Sequence, residues 1–292
     1  MTWYTTTISS HCNRDSLFHA VLLTLSATAG IIVVFVFVFL VSESLPALQS
    51  VAVSRWFTGD WQPAIGQYNL LPMVVGSVAV TGGSAFLATP LGLASALFLT
   101  YYAPKPLAGA YRRLLEVLGS LPSVIFGFWG LTVLVPLINS WSPPGQSILA
   151  GILILTVMTL PTVALASHAA LVSLSPSLMR GAMALGLSRS QAIVRIMLPA
   201  ARAGIAAAVL LQTGRALGET MVVLMVCGNL VQWPGGVFDP VRTLTANIAL
   251  EMAYATDTHR SSLFVCALVL FCAGALLVYC MEALKNRHEH TN

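Results

Sequence analysis

The sequence predicts an all-α integral membrane protein with six transmembrane helices and both termini in the cytoplasm. Three observations predict it. Of the 292 residues, 57% are hydrophobic and only 8% are charged, where a soluble domain carries about 25% charged residues. Long apolar stretches recur along the chain, each near or beyond the ~20 residues that a helix needs to cross a bilayer. The basic residues fall unevenly on the loops between them. A net charge of +4 is too small to suggest a nucleic-acid partner.

The first stretch, about His19 to Val41, has no charge between Asp15 and Glu43. The residues before it lack a basic run and a small-residue cleavage site, so it reads as a retained helix rather than a signal peptide. The second lies within Tyr68 to Tyr102, 35 residues without a charge. That exceeds one helix, so the span is tilted, kinked at Pro90 or preceded by a surface helix. The third runs from about Leu114 to Ile138, with Glu116 near its start and Pro122 and Pro136 inside; the fourth runs from about Ser147 to Val172. The fifth lies in Ala200 to Val231 and the sixth from about Ser262 to Leu284. The expected organisation is a cytoplasmic tail (1–17), a first helix with its outer loop (18–66), a core of five helices (67–284) and a second cytoplasmic tail (285–292).

Loop charges set the orientation. With the N-terminus inside, the cytoplasmic segments hold Arg14, Lys105, Arg112, Arg113, Arg180, Arg189, Arg195, Arg202, Lys285 and Arg287, ten basic residues, and the outer segments hold three, Arg55, Arg242 and Arg260. Short cytoplasmic loops attract such an excess of Lys and Arg. Trp56, Trp61, Tyr101, Tyr102, Trp141 and Trp233 fall near the expected span ends, where aromatic rings favour the interface. Four of the five cysteines, Cys227, Cys266, Cys272 and Cys280, lie in apolar runs and none forms a CxxC pair, so they read as small buried hydrophobes. Glu251 and Asp257 read as members of a solvated outer loop or short helix. His288 and His290, in the polar C-terminal tail, make no metal site.

Arg215 and Glu219 stand inside the fifth stretch. A charge at bilayer depth costs on the order of 3 kcal/mol. Four residues apart, the two are expected on one helix face, one turn apart. Two readings stay open, a solute pathway and a structural ion pair. Gly214 and Gly218 clear room beside them for a close neighbour or a solute, and Thr213 and Thr220 add hydroxyls.

The stretch between the fourth and fifth spans is a helix-turn-helix hairpin, 175–199. Ser175-Pro176 gives an N-cap and a first-turn proline. Leu178 to Leu185 follows as a short helix closed by Gly186. Ser188 and Gln191 match a capping box, and Pro199 is expected where the second short helix ends and the fifth span begins. Gly181, Ala182, Ala184 and Gly186 are expected to share a small-residue face. Docking onto a partner and lying on lipid headgroups both suit this hairpin.

Enzyme motifs are absent. A P-loop needs Gly-Lys before Ser or Thr, but the only lysines, Lys105 and Lys285, follow Pro104 and Leu284. Neither GxSxG nor HExxH occurs. No metal site is expected.

The hairpin carries a family resemblance. Ala182, Gly186, Ile196, Leu198 and Pro199 stand at the spacing of the EAA loop of ABC importer permeases, with Arg180 in place of the Glu and Gly181 in place of the first Ala. Arg215-Ala216-Leu217-Gly218-Glu219-Thr220 resembles the phosphate-importer permeases, within them the PstC type. Asp60-Trp61-Gln62-Pro63, Ala88-Thr89-Pro90-Leu91-Gly92 and the run Leu121 to Gly130 agree. Sulfate and molybdate permeases typically follow Arg-Ala-Leu-Gly-Glu with Phe-Gly-Ala, whereas Thr220-Met221-Val222 here favours phosphate. The resemblance implies a type I ABC importer permease fold in a bacterial plasma (inner) membrane. It implies a transport subunit rather than an enzyme, with Arg215, Glu219, Thr220, Gly218 and Thr213 on the substrate pathway. Arg180, Gly181, Ala182, Gly186, Ile196, Leu198 and Pro199 would couple to an ATPase. It implies as partners a PstA-like second permease, PstB-like ATPases that hold ATP and magnesium, and a PstS-like phosphate-binding protein, with lipid around. A different oxyanion, or an ATPase-independent channel or secondary transporter, is the alternative; the docking hairpin argues against the latter.

Overall fold

The computed structural model describes the backbone of residues 4–289 and the side chains of residues 18–283. Among the described residues the regular elements are helices and one small two-stranded hairpin, with an isolated bridge between Gly228 and Val241. The first helix, α1 (Tyr4–Ser50), runs well past the expected Val41 and carries Glu43 and Pro46 within it. A short antiparallel pair follows, β1 (Trp61–Gln62) and β2 (Gln67–Tyr68), with Trp61 opposite Tyr68. The second span is α2 (Leu71–Leu97), which passes through Pro90 and continues as a π-helical turn, Phe98–Tyr102.

The third span differs from expectation. It is two helices, α3 (Lys105–Ser120) and a second running Ser123–Asn139, bent by 91°. The second is α4 (Ser123–Trp129), a π-turn (Gly130–Leu134) and α5 (Val135–Asn139). Pro122 explains the break: it forces Leu121 into extended backbone, φ −64° and ψ 137°, because a residue before proline is barred from the α region. The expected start at Leu114 is therefore inside α3. The fourth span, α6 (Ile148–Val172), begins where Ser147 Oγ accepts from Ala150 N at 3.2 Å.

Then comes the helical hairpin, α7 (Pro176–Ala184), α8 (Arg189–Ala192) with its capping box from Ser188 and Gln191, a π-turn (Ile193–Met197) and α9 (Leu198–Leu217). Pro199 does not end a helix. It sits in the first turn of α9, directly after the π-turn Ile193–Met197, within the continuous span Arg189–Leu217. The remaining helices are α10 (Met221–Val226), α11 (Leu244–Glu251) and α12 (Asp257–Glu289). Among the described residues five helices are long and apolar enough to cross a membrane, and six spans result if the bent pair is one.

The centre of the bundle is α2 packed along α6. Gly83 meets Ile152, Gly92 meets Val163, and Thr100 Oγ1 reaches His168 Nδ1 at 2.8 Å. The register rises together, so the two helices run parallel. The main core joins Val80, Ile154, Leu155, Val222, Val226 and Ala216 across α2, α6, α9 and α10. A second core, at the end away from the hairpin, holds Trp56, Trp61, Tyr68, Met73, Leu244 and Leu263. Trp56 and Trp61 are thus buried within the protein. Most of the first helix lies outside this body and packs on α12 through Phe37–Phe271 and Phe39–Phe264, antiparallel, with centroids 5.4 and 5.7 Å apart, while Ala47 near its end joins the second core. Its outward face is uncovered apolar surface, suited to lipid. Cys227 and Cys266 are buried, whereas Cys272 and Cys280 are exposed on α12, so only half of the buried-cysteine expectation holds.

Candidate functional site

The fifth span breaks where the sequence placed its charges. The helix α9 stops at Leu217, Gly218 lies at φ −83° and ψ −3°, and α10 starts only at Met221. Arg215 and Glu219 are therefore not one turn apart on a common helix. The glycines at 214 and 218 weaken the helix here, and two hydrogen bonds fix the break. Glu219 O accepts from Thr245 Oγ1 at 2.8 Å, and Glu219 Oε1 accepts from Val222 N at 3.3 Å. The carboxylate that sequence spacing assigned to Arg215 is used to cap α10 instead. Among the described residues the ion pairs are Arg112–Glu116, Arg242–Glu251 and His259–Glu251, and none includes Arg215.

The depth of Arg215 follows from its neighbours. A small void of about 10 Å³ is lined by Ser84 and Thr89 of α2, Thr159 and Val163 of α6, and Gln212, Thr213 and Ala216 of α9. Those positions of α2 and α6 lie near the middle of each helix. Arg215, next to Ala216, is at mid-span. Its side chain is exposed, in an open groove of about 530 Å³ between α9 and α12, where it is the only charged lining residue. Thr213 Oγ1 donates to Val209 O at 2.8 Å and Thr220 Oγ1 to Gly218 O at 3.3 Å. Gly218 is exposed, Thr213 and Thr220 half-buried. Irregular backbone at membrane depth persists only where protein or a water-filled cavity covers it. The helices that follow the two breaks are in contact, because Gly127 of α4 packs on Val222 of α10.

The hairpin projects from the opposite end. Arg180, Gly181 and Gly186 are exposed, and a Cβ added at Gly181 or Gly186 would meet nothing within 4 Å. Ala182, expected on the same small face, is instead buried, packed inward with the hairpin's own second helix. Ile196 and Leu198 are half-buried and Pro199 is exposed. Arg189 lies over the Tyr102 ring at 5.6 Å, which ties the hairpin to the end of α2. The site and hairpin are joined by one continuous helical element, Arg189–Leu217.

One cluster escaped the sequence reading. Glu251 is 6% exposed, not solvated. Its Oε1 accepts from Arg242 Nη1 at 2.6 Å, and its Oε2 accepts from Trp61 Nε1 at 2.9 Å and lies 2.8 Å from His259 Nε2. Arg242 also donates from Nε to Asn229 O at 2.9 Å and from Nη1 to Asn247 Oδ1 at 3.1 Å. The available signal was Glu251 directly after the apolar Ile248-Ala249-Leu250; a carboxylate so placed needs a partner.

Residues 88–289 match the family model of the binding-protein-dependent transport system inner membrane component. The chain belongs to this family. It is the membrane permease of an ABC importer, which works with an ATPase and a substrate-binding protein. A probable ABC transporter permease protein YqgH of Bacillus subtilis is 40% identical over 236 residues, 79% of this chain and 76% of that protein. The phosphate transport system permease protein PstC of Xylella fastidiosa strain Temecula1 is 31% identical over 267 residues, 82% of each. Among solved structures, a chain of a bacterial alginate ABC transporter, in complex with an alginate pentasaccharide-bound periplasmic protein, superposes with a TM-score of 0.67 at 15% identity, covering 94% of this chain and 96% of that one. A chain of the inward-facing MetNI methionine transporter gives 0.61 at 19% identity, covering 76% and 96%. These likenesses show the shared fold, that of type I ABC importer permeases, and the relatives are transport subunits rather than enzymes.

Proposed function

We propose that this permease carries inorganic phosphate, with Arg215 as the counter-charge on its pathway. The observation that carries the reading is a guanidinium exposed at mid-span with no ion pair among the described residues, because its expected partner Glu219 is engaged by Val222 N. An arginine at that depth is unfavourable unless an anion, a second subunit or water meets it. Its planar fork of donors suits an oxyanion and stays protonated. Glu219, beside it at the break, can accept a proton from a protonated phosphate, which a fully ionised sulfate lacks. Thr220, Gly218 and Thr213 complete the pathway. Similarity to PstC proteins supports phosphate over sulfate or molybdate.

In this reading both termini and the hairpin are cytoplasmic, in keeping with the loop charges. The residues 67–284 are the transporting core. Arg180, Gly181, Ala182, Gly186, Ile196, Leu198 and Pro199 form the ATPase contact. The partners are a PstA-like permease, two PstB-like ATPases that bind ATP and magnesium, and a PstS-like binding protein. ATP binding draws the hairpins together, and the continuous Arg189–Leu217 element carries that movement toward Arg215.

The test is ATP-dependent uptake by the reconstituted complex, with phosphate, sulfate and molybdate in competition. Phosphate is expected to be taken up and the other two to compete weakly. Arg215→Ala and Glu219→Gln are each expected to lower uptake at least tenfold, the scale on which removing a charged hydrogen bond acts. Near-normal uptake by both variants would remove Arg215 and Glu219 from the pathway.

A further inference from the structure

The buried cluster around Glu251 lies at one end of a helix whose other end holds the break beside Arg215. The helix α11 has eight residues, roughly 12 Å of length. At its start Thr243 Oγ1 accepts from Ala246 N at 3.2 Å, Leu244 N donates to Ser77 Oγ of α2 at 2.9 Å, and Thr245 Oγ1 donates to Glu219 O at 2.8 Å. At its end Glu251 is held by Arg242, Trp61 and His259, from the loop after α10, the β-hairpin and α12. Arg242 in turn grips Asn229 O at 2.9 Å, just beyond α10, where Asn229 takes a positive φ of 55°. Both ends of α10 are thus tied to this assembly.

A buried ion pair contributes little net stability, since desolvation offsets its attraction. What it supplies is direction. Glu251 accepts from donors on three other segments, and each bond constrains an angle as well as a distance. We propose that Glu251 and Arg242 are positioning residues for the transport site. They fix α11 as a strut that sets where Glu219 and Thr220 stand, and so the shape of the break beside Arg215. Trp61 brings the β-hairpin into the same device, so displacement of that hairpin at one end of the molecule shifts the backbone at mid-span. The inference rests on the Arg215–Thr220 region being the pathway.

The test separates the strut from that reading. In the assembled complex, with Cys12, Cys272 and Cys280 replaced by Ser, the probe is the rate at which a water-soluble thiol reagent modifies Thr220→Cys. Adding Glu251→Gln or Thr245→Val is expected to change that rate by about tenfold, and combining them little further, because both cut one strut and coupled sites are not additive. An unchanged rate, or effects that multiply, overturns the strut. Thr245→Val removes only a hydroxyl, so it carries the test alone if Glu251→Gln does not assemble. Phosphate uptake by Arg215→Ala is measured in parallel. A shifted labelling rate with normal uptake by Arg215→Ala leaves the strut standing and removes the pathway reading. Lost uptake with an unmoved labelling rate does the reverse.

Discussion

At Gly92 a single added carbon is enough to disturb the bundle. Its Cβ would stand 2.7 Å from Val163 Cγ1 and 2.9 Å from Val163 Cβ, with Ala164 N at 3.3 Å. Gly92→Leu is expected to destabilise the purified protein by about 1–3 kcal/mol, read as a lower denaturation midpoint in detergent. Gly82, ten residues away on the same helix, faces open space, so Gly82→Ala is expected to leave the midpoint unchanged or raise it slightly. Glu251 presents the opposite case, an atom removed rather than added. Glu251→Leu leaves Arg242, whose side chain is only 19% exposed, without its carboxylate, at a cost of about 3–5 kcal/mol. The double variant Arg242→Met with Glu251→Leu is expected to recover most of that in the same measurement, because no buried charge then remains. The charges at Arg215 and Glu219 were legible from sequence as an anomaly. Their pairing was not, because it assumed an unbroken helix between them.

Elements were legible where their ends are set by local chemistry. Ser147 caps α6 through Ala150 N, and Ser188 with Gln191 closes the capping box of α8; both are contacts within three residues. The glycines at 214 and 218 mark a weak point, but the break is held by Thr245, 26 residues from the Glu219 carbonyl it binds, and no local pattern announces that bond. The bend at Leu121 falls between the two. Pro122 marks it in the sequence, but the 91° between the flanking helices is decided by packing of α4 on α10 and of α3 on α6. In the hairpin, Gly186 has a φ of +82° with open space around its Cβ position. Gly186→Val should therefore disturb backbone geometry without a clash, costing about 1–2 kcal/mol. The expected readout is weaker co-purification of ATPase subunits with the permease, with the membrane-embedded body still folded.

For the whole molecule, the long Arg189–Leu217 element is the consequential feature. It begins in the hairpin and ends at Leu217, two residues past Arg215, so displacement at one end is carried toward the other. If Arg215 lies on the pathway, its exposure should change with nucleotide state in the assembled complex. Modification of Arg215→Cys is expected to be faster in one nucleotide state than in the other, measured with ATP and magnesium present or removed. Equal rates would leave Arg215 outside the moving part. The first helix contributes to none of this directly: its contacts are with α12 and, through Ala47, with the second core, and its outer face is bare apolar surface.

The sequence by itself determined the membrane class, the spans, the capped hairpin and the family, because these follow from hydropathy, local hydrogen bonds and short motifs. Only the tertiary structure decided that Glu219 caps α10 rather than pairing with Arg215. It alone showed that Ala182 turns inward, that Pro199 continues a helix, and that Glu251 is buried among Arg242, Trp61 and His259. Each of those outcomes depends on which distant segment occupies the space beside the residue. Backbone and carboxylate groups removed from water must take whatever donor that segment provides.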